Sequence, residues 1–256
     1  MIKCVILAGG LGTRLSEETV YKPKPMVEIG NKPILWHIMK LYSSYGVNDF
    51  IVCCGYKGDY IKDYFLNYHR KNSDIYLNLK NNHIKFYNND IEDWNINLID
   101  TGLDTMTGGR LRRVKDYVSE DELFCFTYGD GIGNINVKKS IEYHKSHKKL
   151  ATMTTAFPPG RFGNLELEGD TIKKFQEKSD GDGSMINAGF FVLSPKVIGY
   201  IENDTTIWEE TPLRNLAKRG ELKAFKHEGF WRPMDTLPDK NILESLWQTN
   251  APWKNW

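Results

Sequence analysis

"CVILAGGLGTRLSEETVYKPKPM", residues 4–26, is the stretch on which the reading of the fold turns. It opens as a short continuous apolar run, the pattern of a strand covered on both faces. The run breaks at Gly9, Gly10 and Gly12. A glycine-rich turn after a central strand lets backbone N–H groups approach an anion without interference from Cβ atoms. Arg14, Lys22 and Lys24 follow, with Lys24 between Pro23 and Pro25. Each proline fixes its own φ and restricts the residue before it, so the backbone that carries Lys24 is stiff. A lysine that serves only solvation needs no such bracing, which makes Lys24 a candidate for chemistry. The dinucleotide fingerprint G-x-G-x-x-G fails at its third place, Leu15, and a Walker loop fails because Thr13 and Arg14 follow Gly12. Two readings remain. The loop serves a nucleoside triphosphate and keeps Arg14 and Lys24 as separate charge neutralisers, or it is a tight strand–helix turn with surface cations.

The rest of the chain repeats the alternation. "KPILWHIMKLYSSYG" sets Ile34, Leu35, Ile38, Leu41 and Tyr42 on one helical face with Gly46 as a stop. "DFIVCCGY" is a second buried strand, and "GDYIKDYFLNYHR" an amphipathic helix. This β-loop-α-β-α order predicts an α/β fold with an open, doubly wound, mostly parallel sheet. From Ile75 to Asp100, short alternating runs separated by Asn pairs predict a small antiparallel excursion at the sheet edge. "TGGRLRRVKDYV" and "VKKSIEYHKSHKK" read as helices, "LFCFTYGD", "LATMTTAF" and "MINAGFFVLS" as strands. "GNLELEGDTIKKFQEK" reads as a hairpin turned at Gly169-Asp170, and "PKVIGYIEN" as a helix begun by Pro195. "WEETPLRNLAKRG" and "DKNILESLWQ" complete the helices. The expected organisation is a single domain: a nucleotide-binding half to about residue 150, continuous with a mixed half after it.

Composition limits the function classes. The 256 residues are 40% hydrophobic and 26% charged with a formal net charge of +1, so no whole-chain surface invites nucleic acid or a membrane. No apolar run approaches the ~20 residues that span a bilayer, and no signal-peptide layout opens the chain, so the expected location is the cytoplasm. Cys4, Cys53, Cys54 and Cys125 lie in strand-like runs without a C-x-x-C pair, which predicts buried reduced thiols. Trp231, Trp247, Trp253 and Trp256 read as core or subunit-interface packing. The six histidines lack ligand spacing. Two acids stand out. Asp130 ends the strand "LFCFTYGD" at the carboxyl edge, where open α/β sheets place ligands, although "GDG" is also a common turn. Asp235 lies in "GFWRPMDT" just before a helix, as a metal ligand or as an ordinary acid of the N-cap region beside Thr236 and Asp239. Glu177 and Lys178 in "FQEKSDGD" read, unaided, as the charged end of a hairpin.

"LAGGLGTRLSEETVYKPKPM" resembles the signature of the sugar-1-phosphate nucleotidyltransferases, L-x-G-G-x-G-T-R-L-x-P-x-T-x-x-x-P-K-P-M, with Glu17 in place of a proline and extra length before the lysine motif. "CCGYKG", "DTMTGGRL", "FTYGDG", "FPPGRFG", "FQEK", "INAGFF" and "WRPMDT" extend the likeness over nearly the whole chain, toward the members that join CTP to glucose 1-phosphate. The resemblance implies a Rossmann-like nucleotidyltransferase fold, Mg²⁺ as the cofactor, CTP and glucose 1-phosphate as substrates, and a homo-oligomer. It implies nucleotide contacts from Leu7, Ala8, Gly9, Gly10, Gly12, Thr13, Arg14, Lys24, Thr105, Gly109, Arg110 and Gly129. Tyr128 would flank the nucleoside. Arg14, Lys24 and Asp130 would be catalytic, and Asp130 with Asp235 would hold the metal ion. Glu177, Lys178, Asn187 and Gly189 would take the sugar phosphate, with Ser179 where the family carries proline. UTP or dTTP in place of CTP, and a non-catalytic nucleotide-sugar sensor, stay open as alternatives.

Overall fold

The computed structural model describes residues 2–88, 91–159, 164–168, 171–176 and 184–256. The opening apolar run forms β1 (Lys3–Leu7) of a seven-stranded sheet. The others, in chain order, are β2 (Asp49–Cys54), β3 (Asn95–Asp100), β4 (Phe124–Tyr128), β5 (Ala151–Ala156), β6 (Ile186–Leu193) and β7 (Leu222–His227). Their order in space is β7-β5-β6-β4-β1-β2-β3. All neighbours are parallel except the pairs that β6 makes with β4 and β5. The chain therefore runs outward from β1 through β2 to β3, then returns to the other side of β1 with β4. Such a reversal opens a crevice at the carboxyl ends of the two strands, β1 and β4, on which it turns.

Alternation along the strands feeds two cores. Val5, Ile51, Cys53, Phe124, Phe126 and Phe191 pack on one face with Leu111 of α3 (Thr107–Arg113) and Leu216 of α5 (Thr211–Lys218). Cys4, Ile6, Phe50, Val52 and Cys125 pack on the other with Ile34, Ile38 and Leu41 of α1 (Ile34–Ser43) and Leu243 of α6 (Leu237–Thr249). Helices α2 (Gly58–Leu66) and α4 (Val137–His147) complete the layers. Cover on both faces is why β1, β2 and β4 read as unbroken apolar runs. All four cysteines are free and buried. No helix among the described residues is long and apolar enough to cross a membrane.

Three expectations need correction or limits. The Asn-rich segment is antiparallel only where Asp74–Asn78 pairs with His83–Tyr87; Asn95–Asp100 is the third parallel strand of the main sheet. It is an edge strand with one half-exposed face, so its alternation mimics an antiparallel strand. The helix begun by Pro195 is limited to Pro195–Tyr200 and is a 3-10 helix, closed by i→i+3 bonds such as Val197 N–H to the Ser194 carbonyl at 3.0 Å. Asn164–Glu168 and Thr171–Gln176 do pair antiparallel, but the turn at Gly169-Asp170 lies outside the described residues.

The tryptophan-rich tail is core packing at Trp253, which is fully buried. Trp247 and Trp253 surround the ring of His37, with centroids 4.8 and 6.1 Å away. The His37 Nε2–H donates to the Ile29 carbonyl at 2.8 Å, and Trp253 Nε1–H points at Nδ1 at 3.4 Å. Burial pushes the His37 pKa down to about 4, so the ring is a neutral packing element and fixes α6 over α1.

Candidate active site

Four charged side chains from distant parts of the sequence meet at the mouth of the crevice. Lys24 lies in the short 3-10 turn Lys24–Met26, entered by Pro23 at φ −66° and ψ 150° and closed by the Val27 N–H to the Lys24 carbonyl at 3.1 Å. Asp130 follows β4. The next residues, Gly131–Gly133, pair antiparallel with Trp231–Pro233, and the Met234 N–H donates to the Asp130 carbonyl at 2.7 Å. That short ladder draws Asp235 up beside Asp130 across a hundred residues of chain. Asp235 has no capping duty: Thr236 and Asp239 form the capping box of α6. Its carboxylate is left free to face the crevice. Gly12 adopts φ 67°, a left-handed turn that glycine takes without strain, and aims Arg14 at the same place.

The geometry is that of a shared charge. Lys24 Nζ lies 2.7 Å from Asp130 Oδ2 and 2.6 Å from Asp235 Oδ1. Arg14 Nη1 takes the other Asp235 oxygen at 2.7 Å. Lys24 is buried, whereas the Arg14 side chain is 70% exposed. Burial works against the Lys24 charge, but the Asp130 and Asp235 carboxylates outweigh it and raise its pKa above the usual lysine value. Two cations and two acids thus balance formally.

Behind the quartet lies a cavity of about 440 Å³. Leu7, Ala8, Gly9, Gly10, Gly12, Thr13, Arg14 and Lys24 line one side, with Gly129 and Asp130 from the end of β4. Thr105 and Arg110 close the far end together with Met106, Thr107 and Tyr128. Gly109 does not line it. A Cβ there would come within 2.3 Å of the Asp204 carbonyl oxygen, so that glycine is required by packing of α3 on the Asp204 backbone. Arg110 proves to be a brace. It is buried and donates from Nη2 to the Gly9 carbonyl at 2.9 Å and to Leu103 at 3.1 Å, and from Nη1 to Thr101 Oγ1 at 2.8 Å and the Gly102 carbonyl at 2.7 Å. Gly9 has to lack a Cβ because one would sit 2.2 Å from this guanidinium.

On the side toward β6, Asn187 Nδ2 donates to the Tyr128 hydroxyl at 3.3 Å, and Asn187 Oδ1 accepts from the Gly189 N–H at 2.8 Å. Gly189 packs under the Tyr128 ring. Glu177 and Lys178 lie outside the described residues. Sequence reasoning passed over Glu209, which lines the cavity and accepts from Thr107 Oγ1 at 2.6 Å. Burial, with Glu209 beside it, pushes the Tyr128 pKa up. In "WEETPLR" Glu209 reads as an acid at a helix start, and nothing in its spacing ties it to Tyr128.

No group of three or more His, Cys, Asp or Glu residues among the described ones gathers as a ligand set. The two carboxylates converge on one cation-sized position, which Lys24 Nζ fills. An oxygen donor pair of this kind fits a hard divalent ion that keeps its waters and takes phosphate oxygens as further ligands.

A family model described as "Nucleotidyl transferase" matches residues 3–233. The chain belongs to that family. The transferase is 59% identical over 256 residues to the glucose-1-phosphate cytidylyltransferase of Salmonella typhi, covering 100% of both chains. It is 48% identical over 259 residues to the probable glucose-1-phosphate cytidylyltransferase of Bacillus subtilis, again with 100% coverage of each. Among solved structures it is similar to HddC from Yersinia pseudotuberculosis, with a TM-score of 0.72 and 27% identity over 96% of this chain and 100% of that one.

The transferase's loop depends on its brace. Arg110→Ala leaves the Gly102 carbonyl without its donor, takes one of two donors from the Gly9 carbonyl, and is expected to lower stability by about 3 kcal/mol. The exposed Arg14→Ala is expected to cost less than about 1 kcal/mol. Urea unfolding of the two variants checks this, and equal losses would remove Arg110 from its bracing role.

Proposed function

We propose that the protein transfers the cytidylyl group of CTP to α-D-glucose 1-phosphate, giving CDP-glucose and pyrophosphate. The observation that carries the reading is the convergence of Arg14, Lys24, Asp130 and Asp235 beside a glycine-lined cavity, in a chain 59% identical over its whole length to a glucose-1-phosphate cytidylyltransferase. A phosphate oxygen of the sugar phosphate forms the new bond to the α-phosphorus of CTP. The bond from that phosphorus to the β-phosphate oxygen breaks in line, and its electron pair leaves with pyrophosphate. The nucleophile is already ionised, so no general base is needed, and catalysis reduces to positioning and charge neutralisation.

The residues divide that work. The loop from Leu7 to Thr13 presents backbone N–H groups to the triphosphate, and the exposed Arg14 closes on the leaving pyrophosphate. Lys24 neutralises charge that builds on the α-phosphate. Asp130 and Asp235 would hold Mg²⁺, which supplies charge screening between the two polyanions. Thr105, Thr107, Gly129 and Tyr128 surround the nucleoside. Lys178 draws in the phosphate of the sugar phosphate, while Glu177 and Asn187 bond to sugar hydroxyls and Gly189 permits close approach. In this reading the first half of the chain, to about residue 150, binds nucleotide and the second takes the sugar phosphate. Four buried, unpaired cysteines suit a reducing compartment, the cytoplasm.

The reading includes a homo-oligomer. The hairpin Asp74–Asn78 with His83–Tyr87 is two-stranded and exposes Ile75, Leu77, Ile84 and Tyr87, and such a ribbon gains stability by packing on another surface. Light scattering is expected to give a mass that is a multiple of 29.6 kDa, and a monomer at micromolar concentration would remove this part.

The assay is Mg²⁺-dependent release of pyrophosphate with glucose 1-phosphate and CTP, UTP or dTTP in competition. CTP is expected to be used in preference. Dominant use of UTP or dTTP would reassign the base, and no release with any triphosphate would favour a sensor. Lys24→Ala is expected to reduce kcat about 10²–10³-fold while the KM for CTP changes by less than about tenfold.

A further inference from the structure

Lys24 occupies the position that the function proposed above requires a divalent ion to take. Its ammonium touches Asp130 Oδ2 at 2.7 Å and Asp235 Oδ1 at 2.6 Å, and Arg14 engages Asp235 Oδ2 at 2.7 Å. Both Asp235 oxygens and the inward oxygen of Asp130 are therefore committed to cations of the protein itself. Mg²⁺ takes a carboxylate oxygen at about 2.1 Å, so it and the ammonium cannot share the gap between these two acids. The quartet also carries no formal net charge, so nothing at this point draws in a bare divalent cation.

We propose that Lys24 plugs the metal position in the nucleotide-free enzyme and is exchanged out of it only when a triphosphate arrives. The inference rests on the proposed function for the identity of the two acids as metal ligands, and adds the order of events. The triphosphate offers phosphate oxygens to the ammonium, which leaves the carboxylates without their cation. The metal ion enters with the nucleotide and not before it. The same swing delivers Lys24 to the phosphate chain, so loading of the metal and placement of the lysine become one event. The side chain suits this. An ammonium on a four-carbon stem is a compact charge that can change partners, while Pro23 and Pro25 hold its backbone still. Arg14, exposed and joined to the same acid, is free to follow. No bond is made or broken and no proton need move.

The test is a titration of the nucleotide-free protein with Mn²⁺ alone, read by electron paramagnetic resonance. Lys24→Met removes the charge and keeps the length. The variant is expected to bind Mn²⁺ about tenfold or more tightly than the parent, because Asp130 loses its cation and the buried Asp235 keeps only Arg14. Adding Asp130→Asn to it is expected to abolish the gain. A Lys24→Met protein that melts cooperatively yet binds Mn²⁺ no more tightly than the parent would overturn the proposal. If that variant does not fold, the parent labelled with ¹⁵N at lysine Nζ decides the matter. The Lys24 resonance is expected to hold its position with Mg²⁺ alone and to move with Mg²⁺ and CTP together. A full shift with Mg²⁺ alone would overturn the exchange. The Mn²⁺ arm contains no substrate, so an enzyme that fails to release pyrophosphate would sink the proposed function without deciding this result, and the reverse also holds.

Discussion

The ammonium of Lys24, shared between Asp130 and Asp235, is the contact on which the rest of the site depends. Two carboxylates from separate segments lie within hydrogen-bonding distance of one buried ammonium from a third. Removal of the Lys24 ammonium leaves the Asp130 carboxylate without its cation and Asp235 with Arg14 alone, at a cost above that of a surface ion pair. The fold around the triad is arranged to prevent that. Pro23 and Pro25 stiffen the segment of Lys24, and β4 ends one residue before the Gly129-Asp130 turn. The ladder of Gly131–Gly133 with Trp231–Pro233 sets the two acids side by side.

The sheet explains why the triad lies beside a nucleotide-sized cavity. Strand order reverses between β1 and β4, and a loop left bare by glycines sits at the end of β1. Arg110 ties the loop's Gly9 carbonyl to the segment Thr101–Leu103 across the crevice, so the two walls of the cavity are fixed relative to each other before any ligand arrives. Burial lowers the pKa of this guanidinium, and arginine keeps its role as a donor to carbonyls. A preorganised backbone is what electrostatic stabilisation of a phosphoryl transition state needs.

Much of this was legible in the sequence. The apolar runs of β1, β2 and β4 disclosed a parallel sheet because cover on both faces leaves no alternation to misread. The glycines and the bracketed Lys24 marked the loop that lines the cavity because their backbone requirements are local. What resisted reading depends on tertiary contact. Asn95–Asp100 reads as part of an antiparallel excursion because an edge strand shows a half-exposed pattern whichever way its neighbour runs. Asp235 could be separated from a helix cap only once Thr236 and Asp239 were seen to fill that role. Arg110 lines the cavity and also braces the Gly9 loop, and Glu209 lines the cavity from a segment read only as a helix. In both cases the deciding partner lies about a hundred residues away, where no spacing rule reaches.

A crystal structure of the transferase with CTP and a divalent ion tests the central electrostatic proposition most directly. Lys24 Nζ is expected within about 3 Å of a phosphate oxygen of the nucleotide, with a metal ion bridging Asp130 and Asp235. CTP bound in the cavity with Lys24 still lodged between the two carboxylates, or a triphosphate lying away from all four charges, would contradict it.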